Sequence, residues 1–174
     1  MEKIEKRALE ILENYPIYKH QPASISGKYH IGETQEEHLK LVNNVLKHLC
    51  DEFNIQNEDR DMLLASGWLH DLGMYVITKK GKIDEFGWKY YEVTGYSKFQ
   101  NLMDKHGSIG AKELEKYNIP RKKEIQKLIA CHMSHWYPNE PQPNCLYDYL
   151  LCIADYVASR GHGILECPKK KKNS

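Results

Sequence analysis

The sequence predicts a mostly helical single domain, and three observations support this fold class. Apolar residues recur at helical spacing over most of the chain, helix-start and helix-stop signals bound these stretches, and no repeat or linker divides the 174 residues. A chain of this length buries roughly 70% of its unfolded surface, so one core is sufficient for stability. We expect a single domain over residues 1–174, with its core at about 30–160 and a flexible basic tail at 161–174.

The first two helices have clear boundaries. An apolar stripe over residues 3 to about 14 predicts the first helix, and Pro16 stops it. Thr34, with Glu37 three residues later, predicts a capping box at the start of the second helix. The apolar stripe that follows predicts that this helix continues to about Phe53.

The third helix carries an apolar run before a His-Asp pair. Asn57 or Asp59 is suited to cap its start, and we expect it to end near Asp71 with Gly73 as the stop signal. Further helices are predicted at about 97–105, 107–117, 121–134 and 145–160.

Residues 75–94 differ in character from their surroundings. Tyr75 to Thr78 is rich in β-branched and aromatic residues, a lysine- and glycine-containing stretch follows, and a second aromatic stretch comes after it. This pattern predicts a small β-hairpin or an aromatic flap inserted into the helical domain.

The charge of the chain argues against a protein that binds nucleic-acid backbones. Lys and Arg number 25, and Asp and Glu number 24. Four of the lysines form the run Lys169–Lys172, so the rest of the chain has 21 basic against 24 acidic residues. Nucleic-acid binders normally carry a basic surplus, so nucleic acid is not an expected partner, although contact through the lysine run is not excluded.

The sequence predicts a cytoplasmic protein without a membrane partner. No apolar run approaches the ~18 residues that a membrane span needs, and the charged start of the chain has no signal-peptide core. The five cysteines are odd in number and contain no CxxC pair, which is typical of reduced thiols.

Nine histidines are unusual for this composition, and several lie at helix ends on apolar faces. A single histidine there is usually a satisfied core residue. Six ionisable groups in such places indicate a shared purpose, because burying each one unpaired costs several kcal/mol. Imidazole and carboxylate together suit iron, manganese, zinc or nickel, and the missing thiolate spacing argues against structural zinc. The six groups are His38, His70, Asp71, His106, His132 and Asp155.

Five motifs in this order resemble the HD superfamily of metal-dependent phosphohydrolases, which is named for its adjacent His-Asp pair. A lone His-Asp dipeptide would carry no weight, whereas five ordered elements over about residues 30–160 are specific. The motifs are GETQEEHL at 32–39, WLHDLG at 68–73, HGSIGA at 106–111, IACHM at 129–133 and IADYVASR at 153–160.

The resemblance implies an all-α HD-domain bundle with a dinuclear metal site. It assigns His38, His70, Asp71 and Asp155 to one ion. His106 and His132 hold a second ion, with Asp71 bridging the two. The divalent ions would be iron, manganese, nickel, cobalt or zinc, and they would activate a water for attack on phosphorus.

The chain departs from the family pattern at Met74, where many members have a lysine. Lys79, Lys80, Lys82 or Arg160 could take over its role, and Arg160 is best placed because it closes a ligand-bearing helix.

We expect catalytic roles for Asp71, His135 and Arg160, and substrate contacts from Lys28, His30 and Arg160. The predicted function is a metal-dependent phosphatase or phosphodiesterase that acts on a small phosphate compound, with a nucleotide favoured as substrate. Two alternatives remain open at this point: an HD-type di-iron oxygenase, which would use the same ligands, and a non-catalytic nucleotide-sensing module. A homodimer is compatible with the sequence.

Overall fold

The computed structural model describes residues 3–23, 30, 32–80 and 101–160. These parts of the chain are helical and contain no β-strand, which confirms the predicted all-α class. Extended segments meet in an isolated antiparallel bridge between Pro22 and Thr34. The predicted basic tail at 161–174 and the later part of the predicted hairpin, 81–94, lie outside the described residues.

Seven α-helices have bounds within the described ranges. They are α1 (Lys3–Leu12), α2 (Gln35–Glu52), α3 (Asn57–Leu69), α4 (Leu72–Lys80), α5 (His106–Glu113), α6 (Lys122–Cys131) and α7 (Leu146–Ala158). Short 3-10 helices lie at Pro16–Lys19 and Leu114–Lys116. None of the helices in these ranges has the length and apolar character required to cross a membrane.

The predicted capping box starts α2. The Thr34 side chain accepts a hydrogen bond from the Glu37 backbone N–H at 3.3 Å, and the Glu37 carboxylate accepts one from the Thr34 backbone N–H at 2.8 Å. This exchange satisfies two backbone donors at the helix start. It places His38 in the first turn of α2 with its ring directed into the protein, where only 1% of the residue is exposed.

The start of α3 differs from the prediction. Gln56 is its N-cap residue and makes no side-chain cap bond. Asp59 instead accepts hydrogen bonds from Arg121 and from the Tyr147 hydroxyl. The prediction that Asn57 or Asp59 caps α3 was therefore wrong. Asp59 instead links α3 to the segment before α6 and to α7.

Helix α4 overturns the first half of the predicted hairpin. Residues 72–80 are helical, and Gly73 lies in the first turn of α4 instead of ending α3. Tyr75, Val76 and Ile77 are all buried, so tertiary packing outweighs the strand preference of β-branched residues. A Cβ on Gly73 would lie 1.8 Å from the His106 carbonyl oxygen, which indicates that glycine permits the close approach of α4 and α5.

Helix α3 is central to the packing of the described helices. Helices α1, α2 and α6 contact it, and α7 packs along α2. His38 near the start of α2 pairs with Asp155 near the end of α7, so these two helices run antiparallel. This arrangement directs the ends of several helices toward one buried point.

Helix α1 is linked to α3 by the Asp61 carboxylate. Asp61 accepts hydrogen bonds from the backbone N–H groups of Ile4 at 2.7 Å and Glu5 at 2.8 Å, and only 3% of Asp61 is exposed. Trp68 adds a second link by donating its indole N–H to the Glu5 carboxylate at 2.9 Å. The carboxylate therefore serves as an N-terminal cap supplied by another helix.

We expect Asp61→Ala to lower the free energy of unfolding by about 2 kcal/mol, because two backbone donors lose their acceptor. Urea denaturation measures this change. Asp61→Asn keeps one carbonyl oxygen and should lose about half as much. Equal stability of Asp61→Ala and wild type would show that the cap is unimportant.

Asp148 in the first turn of α7 gives the fold a pH dependence. Burial alone raises the pKa of its carboxyl, but the Asn144 backbone N–H at 3.0 Å and the Lys127 ammonium at 2.8 Å outweigh burial and hold the pKa below its usual range. A carboxyl whose pKa is lower in the folded state stabilises the fold above its unfolded pKa of about 4. That contribution is lost as the pH falls through the lower folded pKa.

Asp148→Asn is therefore expected to be less stable than wild type at neutral pH, with the difference narrowing as the pH falls below about 4. Chemical denaturation of both proteins across this range checks the prediction. A difference that stays constant with pH would contradict it.

Candidate metal centre

The ends of five elements bring the six predicted side chains together. His38 comes from α2, the His70-Asp71 pair from the turn between α3 and α4, and His106 from the first residue of α5. His132 directly follows α6, and Asp155 lies in the last turn of α7. All six are buried, with at most 8% of each residue exposed.

The Asp71 carboxylate lies between two groups of imidazoles. Its Oδ2 is 3.3 Å from His70 Nε2 and 3.7 Å from His38 Nε2. Its Oδ1 is 3.0 Å from His106 Nε2 and 3.6 Å from His132 Nε2. Asp71 therefore offers one oxygen to each side.

Each side has its own cluster of donor atoms. On the first side, His38 Nε2 lies 3.1 Å from Asp155 Oδ1 and 3.2 Å from His70 Nε2. On the second side, the Nε2 atoms of His106 and His132 are 3.0 Å apart. Donors that surround one ion at about 2.1 Å lie about 3.0–3.4 Å from one another, and the shortest distances in each cluster, 3.0–3.2 Å, match this spacing.

Backbone carbonyls orient three of the four histidines. In each case the Nδ1–H donates to the carbonyl three residues earlier, at 2.5–2.8 Å. These carbonyls belong to helix ends, where the last turn lacks intrahelical donors. The donor and acceptor pairs are His70 with Gly67, His106 with Met103, and His132 with Ile129.

This orientation fits a cation. An imidazole that carries its proton on Nδ1 has a lone pair on Nε2, and the Nε2 atoms converge. Neutral lone pairs 3.0–3.2 Å apart repel each other unless a proton or a cation lies between them. The donor set of imidazoles and carboxylates suits divalent first-row metals, so these residues fit a divalent metal.

The electrostatics of the site keep the carboxylate charged. Burial alone raises the pKa of Asp71, but the charge of His70 and hydrogen bonds from His106 and His132 hold it well below its usual range. Burial also lowers the pKa of His132, whereas at His70 the two carboxylates of Asp71 and Asp155 together outweigh burial and raise that pKa well above its usual value. The buried carboxylate thus draws positive charge into the pocket.

His30 lies beside this centre, as the sequence predicted for a residue near the substrate. Its ring centroid is 4.4 Å from that of His38, and its Nδ1 is 3.4 Å from the Glu33 carboxylate. Burial, followed by the charge of His38, lowers the pKa of His30 to about 4. His30, Glu33 and His38 each offer a ligand atom within 4.8 Å of the others. Glu33 lies five residues before His38 and precedes α2, so helical spacing does not govern how the two side chains approach.

His135 and Arg160 share a second cluster next to the centre. The guanidinium carbon of Arg160 lies 3.7 Å from the Tyr156 ring centroid and 5.0 Å from that of Trp136. Arg160 also donates a hydrogen bond to the Ser159 hydroxyl at 2.5 Å. The His135 ring lies 5.1 Å from the Trp136 ring. Burial lowers the pKa of His135, and the opposing charge of Asp155 acts on it from the metal centre.

Sequence reasoning missed two contributors to this region. Trp136 stacks beside Arg160, and its only signal was an aromatic pair before a proline-rich loop. Gln35 donates to the Met74 sulfur at 3.2 Å and accepts from the Tyr75 hydroxyl at 3.0 Å. Met74, which replaces the lysine of many relatives, is therefore packed into the core. Lys28 lies outside the described residues.

The fold and the site together define a helical protein with a buried histidine and aspartate centre suited to divalent metal. A family model for the HD domain matches residues 36–160, which is more than half of the chain. The chain therefore belongs to the HD domain family, a family of metal-dependent phosphohydrolase type whose members are generally hydrolases. Searches of curated proteins and of solved structures found no match to the chain.

Proposed function

We propose that this protein is a two-metal phosphohydrolase that cleaves a phosphomonoester or phosphodiester bond, with a nucleotide as substrate. The observation that carries the proposal is the position of Asp71, whose two carboxylate oxygens face separate histidine groups. A carboxylate with one oxygen directed to each histidine group is suited to bridge two ions.

Each ion would have its own ligands. The first would bind to His38, His70, Asp155 and one oxygen of Asp71, and the second to His106, His132 and the other oxygen. The donor set suits iron, manganese, cobalt, nickel or zinc. When bound, such a pair supplies an activated water and offsets the charge that develops on the phosphoryl oxygens.

The chain's own residues would bind the substrate and move its proton. Arg160 would contact a phosphate oxygen, because its planar guanidinium is fixed by Tyr156 and Ser159 and matches phosphate geometry. His135 would hold a proton for the leaving oxygen, since the charges of both Asp155 and Arg160 act on it. His30 would contact the substrate beside His38.

A nucleotide panel tests this proposal. Mono-, di- and cyclic nucleotides are incubated with metal-free protein that has been reloaded with manganese, iron, cobalt or nickel, and release of phosphate or nucleoside is measured. We expect turnover with at least one metal and loss of turnover with a chelator. Absence of hydrolysis under every combination would contradict the proposal.

The same samples distinguish the rival oxygenase chemistry. An HD-type oxygenase would consume dioxygen and give a mixed-valent iron EPR signal, whereas a phosphohydrolase needs no dioxygen. Saturable nucleotide binding without turnover would instead favour a sensing module.

A further inference from the structure

In the described part of the chain, the outer side of α7 is apolar and exposed. Leu146, Tyr149, Ile153 and Val157 are 44–50% exposed, although each is large and hydrophobic. Their spacing of three and four residues puts them on one side of the helix. A stripe with this spacing is the usual contact seam of a helix that packs against another helix.

No charge interrupts this stripe. The only charged residues between Leu146 and Ala158 are Asp148 and Asp155, and both are buried on the opposite side of α7. Asp155 faces the metal centre, and Asp148 pairs with Lys127. The outer side of α7 is therefore uncharged along its whole length.

Helix α2, which packs along α7, has exposed apolar residues of its own. Leu41 in its second turn and Phe53 directly after its last residue are 36% and 52% exposed. Val45 and Leu49 lie between them at four-residue intervals and are only partly buried. We call the exposed residues of both helices the outer apolar face: Leu41, Phe53, Leu146, Tyr149, Ile153 and Val157.

We propose that the outer apolar face is the interface of a homodimer, in which α7 of one copy packs against α7 of a second copy. The six side chains expose on the order of 500 Å² of mainly apolar surface, which approaches the roughly 800 Å² per partner of a stable interface. The surrounding rim of α2 and α7 supplies the remainder.

A second copy fits this surface better than a different protein. Partners of different sequence are commonly selected by complementary charges, and the outer side of α7 has none. Two identical uncharged stripes can pair across a twofold axis without like-charge repulsion, and such twofold dimers are the commonest oligomers. Ile153, near the middle of the stripe, would lie close to the axis and meet its own copy.

Sedimentation equilibrium of the full chain tests the proposal without reference to catalysis. Between about 1 and 100 µM we expect a mass approaching twice the 20.4 kDa of one chain. Ile153→Glu should raise the dissociation constant about thirtyfold or more, because like charges then face each other in an apolar contact. Lys123→Glu is the matched control, since this 86% exposed side chain lies on α6.

A charge-swap experiment keeps the test valid if one variant is poorly stable. Ile153→Glu and Ile153→Lys are each expected to be monomeric, and a mixture of the two should dimerise again. A wild-type chain that stays monomeric over the whole concentration range would overturn the proposal. The outer apolar face would then be a candidate contact for a different protein. A wild-type dimer that Ile153→Glu does not weaken would place the interface elsewhere.

Discussion

Replacing Asp71 with alanine is expected to remove both metal ions and at least about a thousandfold of any hydrolytic rate, or about 4 kcal/mol of transition-state stabilisation. Its carboxylate directs one oxygen to each histidine cluster, at 3.3 Å and 3.0 Å from the nearest imidazole nitrogens. Loss of this carboxylate would remove one ligand atom from each site and the negative charge that attracts both cations.

Metal content after reloading, measured by elemental analysis, gives the direct readout. Wild type should hold two ions per chain, Asp71→Ala none and His106→Ala one, because His106 contacts only the second cluster. Asp51→Ala is the control, since its side chain is 64% exposed and pairs with Arg60 on the surface. Retention of two ions by Asp71→Ala would refute the bridging role.

Replacing Gly73 with alanine should cause the largest loss of stability among conservative changes. The added methyl group would lie 1.8 Å from the His106 carbonyl oxygen and 2.8 Å from the Gly110 backbone nitrogen. Backbone atoms cannot move aside as a flexible side chain can, so α4 and α5 must separate. We expect a cost of about 3 kcal/mol or more, which lowers Tm by roughly 6–12 °C.

Gly67→Ala is the matched comparison. Its added methyl group would meet the side chains of Leu46 at 2.6 Å and Asn43 at 2.8 Å, which can shift. Alanine also favours the helix by about 1 kcal/mol, so the net cost should be clearly smaller than at Gly73. Thermal unfolding of the metal-free proteins compares the two. A Gly73→Ala protein as stable as Gly67→Ala would contradict the account of α4 and α5 packing.

The metal centre was predictable because its residues follow an ordered pattern with local signals. The Thr34 and Glu37 capping box fixed where α2 begins, and so the direction of His38. The His-Asp pair and the later histidines each mark the end or start of a helix. The structure brings together all six side chains that these signals identified.

The errors came from contacts that local sequence does not encode. Tyr75, Val76 and Ile77 have strand preference in isolation, yet burial against neighbouring helices makes residues 72–80 helical. Gly73 was predicted to end a helix. Its lack of a side chain instead allows α4 to pack closely against α5, whose contacting residues lie more than 30 positions later in the chain. The contact of Trp136 with Arg160 likewise depends on the relative placement of two separate segments.

The main-chain anchoring of the histidines has a consequence for how the site can change over evolutionary time. In many metal sites the imidazole is held by a second side chain, so one substitution in that partner misdirects the ligand. Here His70, His106 and His132 are each held by the backbone carbonyl three residues earlier, which every amino acid provides. Neighbouring side chains therefore do not need to orient these ligands. Substitutions in the surrounding pocket can change the substrate that fits, while the ligand geometry stays the same.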